Sequence, residues 1–118
     1  MKYALLIYYD PATLPQFDEE EQRAVTAEYY AIADEPSCLA GGHLQPVESA
    51  TTVRVAGGEV LTTDGPFAET KEVFAGYFLF ELDNLDQALE IAGRVPAARM
   101  GGSVEVRALV EEQPRVSG

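Results

Sequence analysis

The chain has one histidine, His43, which follows Gly41-Gly42 and precedes Leu44-Gln45-Pro46, and a carboxylate, Asp64, that opens the stretch DGPFAETKE at residues 64–72. An imidazole has an ordinary pKa of about 6.5, so His43 is the one side chain suited to proton transfer near neutral pH without a large shift. If Asp64 orients it, the two form an acid/base dyad, although their separation along the chain says nothing of their distance in space. A lone histidine is more often structural than catalytic, and Asp-Gly-Pro is first of all a turn. With 20 acidic against 8 basic residues, cations are scarce. Lys71 and Arg107 are therefore candidate anchors for a substrate carboxylate, while surface ion pairing explains Glu69, Thr70, Lys71 and Glu72 equally well. Tyr8, Tyr77, Glu105 and Arg107 are candidates to line a sheet surface beneath such a cleft, where an aromatic stripe serves a dimer core as readily as a ligand.

Other chemistries find no support. No phosphate-binding glycine loop, dinucleotide fingerprint, zinc-binding helix or nucleophile elbow occurs. With one histidine and no converging ligand set, neither a metal nor a cofactor is expected. Cys38 is the only cysteine, so an internal disulfide is impossible and the residue reads as a small buried hydrophobe. The formal net charge of -12 repels phosphate backbones and anionic membranes, which argues against a nucleic-acid or membrane partner. Seven carboxylates and a single Arg23 fall within residues 18–35; that run is a solvated helix face or a surface for a protein partner. No apolar run is long enough to span a bilayer, and a cytoplasmic protein is expected.

The elements that must position these residues follow from pattern. At 118 residues one domain over 1–118 is expected, burying roughly two thirds of its unfolded surface. KYALLIYY at 2–9 is a strand apolar on both faces, ended by Asp10-Pro11. Asp18 opens a helix with Glu21 at capping-box spacing, and Val25, Tyr29 and Ile32 form its buried stripe until Pro36. CLAGGHLQPV at 38–47 reads as an irregular or bulged strand. Thr51–Val55 and Glu59–Thr63 flank Ala56-Gly57-Gly58 as a hairpin. FAGYFLFEL at 74–82 is a second strand apolar on both faces for most of its length. Asn84 caps a second helix whose expected stripe is Leu85, Ala88, Leu89 and Ala92, ended by Gly93 and Pro96. Val104, Val106 and Ala108 then alternate with Glu105, Arg107 and Leu109 in a half-exposed strand. The tail from Glu111, with Pro114 and Ser117, reads as loose or as adding to a neighbour.

The order strand, helix, strand, hairpin, strand, helix, strand is the ferredoxin-like βαββαβ pattern, an α+β fold, with an inserted hairpin. In that topology the first and third core strands lie centrally, and these are the two doubly apolar runs. Both helices cover one face, which leaves the other as an apolar patch that something must cover. A second copy of the same sheet is the simplest cover, giving a homodimer with a cleft between sheet and partner.

The chain resembles the YCII-related family, in its DGPF-domain branch. The likeness rests on DGPFAETKE at 64–72, GGHLQP at 41–46, GYFLFEL at 76–82 and SVEVRAL at 103–109, and it spans nearly the whole chain. The resemblance implies a dimeric α/β barrel. Distant relatives include a dehalogenating lyase acting on a chlorinated muconolactone, and a His/Asp pair has been suggested as an active site in the wider family; the positions here that match such roles are His43 and Asp64. Members of the branch are often encoded beside alternative sigma factors, which leaves room for a regulatory or sensing role. Three functions are thus in play. One is a small cofactor-independent lyase, isomerase or hydrolase acting on a small organic acid. The second is a non-catalytic ligand-binding or regulatory dimer, and the third a structural dimer with no ligand.

Overall fold

The computed structural model of the chain describes residues 1–111. Its elements are β1 (Lys2–Tyr9), α1 (Glu19–Ala33), β2 (Cys38–His43), β3 (Thr51–Ala56), β4 (Glu59–Asp64), β5 (Val73–Glu81), α2 (Leu85–Arg94), α3 (Pro96–Arg99) and β6 (Ser103–Ala108), with one 3-10 turn at Val47–Ser49. Four strands form an antiparallel sheet in the order β2-β5-β1-β6, and β3 and β4 form a sheet of their own. The architecture is α+β and compatible with the ferredoxin-like pattern, with the doubly apolar β1 and β5 at its centre. The expectation for the tail, with Pro114 and Ser117, lies outside the described residues.

Alternation along the strands sorts their side chains between two faces. Tyr3, Leu5 and Ile7 of β1 and Phe78 and Phe80 of β5 are buried on the helix-covered face, packed with Ile32 of α1 and with Ala88, Ile91 and Ala92 of α2; Val104 and Val106 of β6 join them. Leu5 and Phe80 have no exposed surface. Among the described residues no helix lies over the opposite face of the sheet.

Local signals account for the helix ends. The Asp18 carboxylate accepts from the Glu21 amide at 2.8 Å, and the Glu21 carboxylate accepts from the Asp18 amide at 3.4 Å, so both arms of the capping box close. Asn84 likewise accepts from the Gln87 amide at 3.0 Å. The stripe of α2 differs from expectation. Leu85 and Leu89 are half exposed, and Ala88, Ile91 and Ala92 are buried: the helix is rotated so that its smaller residues approach the sheet, and β-branched Ile91 rather than the leucines fills the space beneath. As expected, α2 stops at Arg94, just before Pro96, and Val95 between them is extended; Pro96 then opens a further short helix. It occupies the first position of α3, where its missing N–H has no intrahelical partner to lose. Arginines at the ends of α2 and α3 carry the ion pairs here: Arg94 bonds Glu90 within α2 and Glu35 just past α1, each at 2.9 Å, and Arg99 bonds Glu28 of α1. The Glu35 and Glu90 carboxylates hold the Arg94 guanidinium above its ordinary pKa.

The inserted hairpin pairs Ala56 with Glu59 across Gly57-Gly58. Both glycines take positive φ, 58° and 80°, the conformation that a two-residue turn needs to match strand twist. At its base the Gly65 amide donates to the Ala50 carbonyl and the Thr52 hydroxyl to the Gly65 carbonyl. Apart from Thr52 every residue of β3 and β4 is exposed, and the hairpin has no substantial packing on the four-stranded sheet or its helices. It is an arm.

Candidate functional site

The open face of the sheet can be read as rows running across the strands, because directly opposed residues share a face. One row is Gly42, Tyr77, Leu6 and Glu105; the next is Ala40, Leu79, Ala4 and Arg107; at the other end Phe74 and Ser103 flank Tyr8. Four of the residues singled out from sequence thus share one surface: Tyr77 and Glu105 on either side of Leu6, Arg107 one row away, and Tyr8 at the other end. Tyr77 and Phe74 are 37% and 38% exposed, and the Tyr8 and Phe74 rings meet at 5.5 Å between centroids.

A register shift between Ile7 and Tyr8 inserts Ala75 as a bulge in β5, and this sets the position of Phe74. With the extra residue, Phe74 stands opposite Tyr8 on the open face; without it, alternation would turn Phe74 to the other side. The Gly41-Gly42 pair has a similar role at the sheet edge. A Cβ on Gly41 would lie 3.0 Å from the Phe78 ring, and one on Gly42 would lie 2.8 Å from the Tyr77 ring. Each glycine therefore makes room for one aromatic ring of β5, on opposite faces.

Immediately after this pair, β2 ends at His43. A small cavity of about 260 Å³ opens there, lined by Tyr9, His43, Leu44, Gln45, Val47 and Phe74, among others. It falls just below the range of about 300–1,000 Å³ for small-molecule sites, with aromatic walls, one imidazole and one carboxamide. The Leu44 amide donates to the Ala75 carbonyl at 2.8 Å, so the bulge also anchors the loop that forms the far wall. Phe74 belongs both to this cavity and to the open face, whereas the register sets His43 opposite Gly76 and so in the row of Ile7, toward the helix-covered side.

Other residues expected at the site lie apart from it. Asp64 is exposed at the base of the arm, opposite Thr51, and does not line the His43 cavity. No hydrogen bond between Asp64 and His43 is present among the described residues. Lys71 is exposed in the link between arm and β5. Among the described residues the ion pairs involve the N-terminus, Arg94 and Arg99, which leaves the Lys71 and Arg107 side chains free to meet an anion. Tyr9, Gln45 and Phe74 were not singled out in advance as chemistry. Their signal was the bulge-prone Ala75-Gly76 and the Pro46 that halts β2, which together shape the cavity, but neither feature identifies a wall residue before the register is known.

A second, larger groove of about 630 Å³ lies between the end of α1 and α2, lined by Glu35, Glu81, Asp83, Asp86, Glu90 and Arg94, among others. Its one cation, Arg94, is already bonded to Glu35 and Glu90, so this groove offers an organic acid nothing to hold. No three His, Cys, Asp or Glu side chains among the described residues gather closely enough to hold a metal ion. Burial pushes the Cys38 thiol above its ordinary pKa, which lowers its thiolate fraction at neutral pH. Among the described residues no helix is long and apolar enough to cross a membrane.

Comparison with known proteins decides the family. The YCII-related domain matches residues 1–113. The chain belongs to the YCII-related family. It is also 36% identical over 121 residues to the uncharacterized protein R00369 of Rhizobium meliloti (strain 1021), a match covering 97% of this chain and 96% of that protein. As a YCII-related chain it carries the domain through every described strand, including the arm and the His43 cavity, so the site belongs to the domain itself.

Proposed function

We propose that this YCII-related chain is a cofactor-independent acid–base enzyme for a small organic acid, working as a homodimer whose subunits meet through the open sheet faces as a dimeric α/β barrel. The observation that carries the reading is the placement of the only imidazole, exposed at the end of β2, in the wall of a small aromatic cavity that shares Phe74 with the uncovered apolar sheet face. In this reading His43 moves the proton, Tyr9 and Phe74 hold the apolar body of the acid, and Gln45 hydrogen-bonds a polar end. Arg107 or Lys71 supplies the cation for a carboxylate, with Tyr77 and Glu105 lining the floor beneath the partner. Asp64 acts on His43 only if the arm or the second subunit brings it there.

A binding or regulatory role without turnover uses the same cavity. It is favoured by one observation, that among the described residues no carboxylate is hydrogen-bonded to the His43 ring to orient it.

The test is a titration of the protein with benzoate and with a five-membered lactone acid, followed by NMR of the His43 and Phe74 side chains. Saturable shifts in both rings, reduced by Phe74→Ala, are expected; no shift with either probe would overturn the site. Turnover is separated from binding in deuterated solvent. Deuterium incorporation or a product mass that disappears in His43→Gln supports the enzyme, and saturable binding without either supports the regulatory reading.

A further inference from the structure

Two apolar surfaces of this chain are without a cover among the described residues. One is the open sheet face, with Leu6, Tyr8, Phe74, Tyr77 and Leu79. The other is the arm. Its register puts Val53 opposite Thr62 and Val55 opposite Val60, so the three valines share a face, which Thr51 and Asp64 complete at the base. Val53, Val55 and Val60 are 59%, 68% and 68% exposed. The reverse face carries Arg54 opposite Leu61 and Ala56 opposite Glu59. Such segregation of valines to one side of a ribbon is what a half-buried hairpin shows, yet among the described residues this one has no substantial packing on the rest of its own subunit. An isolated two-stranded hairpin is marginal in water.

We propose that a second copy of the chain covers it: in the two-fold dimer each arm lies with its valine face on the partner, flanking the contact between the open sheet faces. This rests on the dimer reading above and adds the element that makes the dimer stable. Four strands about 4.8 Å apart, rising about 3.3 Å per residue, present a face of roughly 400 Å². A stable interface needs about 800 Å² from each partner. The sheet alone therefore supplies about half. One face of the arm, two strands wide, covers roughly 200 Å², and two-fold symmetry uses it twice, since each subunit both extends an arm and receives one. The total then reaches what a stable dimer requires.

Continuity points the same way. The arm leaves the sheet through the links after His43 and before Val73, at the end where Phe74 and Tyr8 border the open face, so it begins beside the interface it extends. The chain's net charge of -12 disfavours the alternative of an anionic lipid or nucleic-acid surface.

The experiment measures the dimer dissociation constant of the full chain by analytical ultracentrifugation, for wild type, for Val55→Lys with Val60→Lys, and for Leu61→Lys on the reverse face. The double variant is expected to raise the constant by about a hundredfold and Leu61→Lys by less than about threefold. A dimer indifferent to the double variant, or weakened equally by Leu61→Lys, overturns the arm contact and leaves the sheet-face dimer standing. A monomeric wild type overturns both. Because a variant can fail by misfolding, the wild type is also examined as a mixture of valine-methyl-labelled and unlabelled chains. Intersubunit nuclear Overhauser effects from the Val53, Val55 and Val60 methyls are expected, and their absence in an intact dimer overturns the proposal.

Discussion

At Gly41 and Gly42 the absence of a side chain is a requirement of packing, because each admits an aromatic ring from the neighbouring strand. The costs of adding a methyl group differ by what it strikes. On Gly42 it meets the outer atoms of the Tyr77 ring at 2.8 Å, and that ring is 37% exposed, so the ring can swing away. On Gly76 it meets the Gly42 backbone carbonyl at 2.6 Å, which can move only with the β2–β5 ladder. Gly76→Ala is therefore expected to cost about 2–4 kcal/mol and Gly42→Ala less than about 1 kcal/mol, as measured by urea unfolding. Gly42→Ala should nevertheless shift the Tyr77 ring resonances, since the ring loses its seat on the open face. Equal losses from the two variants would mean that the Tyr77 ring is held as firmly as backbone.

For the helices, the informative contrast lies within α2. Leu89 and Ile91 are two residues apart, but Leu89 is 49% exposed and Ile91 is 4% exposed. Truncating a buried branched side chain loses its transfer energy and leaves a cavity, whereas an exposed leucine has neither to lose. Ile91→Ala is expected to destabilise by about 2–4 kcal/mol and Leu89→Ala by less than about 1 kcal/mol; thermal or urea unfolding decides, and the reverse order would restore the leucine stripe read from the sequence. On α1, Asp18→Ala removes one arm of a closed capping box and orphans the Glu21 amide, for an expected loss of about 1 kcal/mol.

The molecule as a whole is strongly acidic, and that bears on assembly. Two copies, each with a formal net charge of -12, repel one another, and salt screens this over a Debye length of about 10 Å at 0.1 M. Contacts between apolar faces contain few charge pairs to be weakened in return. Raising sodium chloride from 20 to 300 mM should therefore tighten the dimer by about three- to tenfold, read from sedimentation equilibrium. A dimer that loosens with salt would assign the interface to ion pairs and remove the sheet faces from it.

The sequence by itself determined the element order, the central strands and the helix caps, because these depend on local chemistry. Asp18 with Glu21 and Asn84 with Gln87 are complete signals within one turn, and a run such as KYALLIYY, apolar at every second position on both sides, has no place but the middle of a sheet. Alternation within a strand, which follows from strand assignment alone, also put Glu105 with Arg107 on one face; that Tyr8 and Tyr77 share this face is a matter of register. What the sequence left open depended on register and rotation. The Ala75 bulge that aims Phe74, the turn of α2 that buries Ile91, and the cavity in which His43 stands beside Tyr9 and Gln45 all arise from contacts between segments distant in the chain. A one-residue shift reverses a strand's faces, and no local pattern reports it. The separation of His43 from Asp64 belongs to the same class: the tertiary structure alone decided that one ends a core strand while the other stands at the root of an arm.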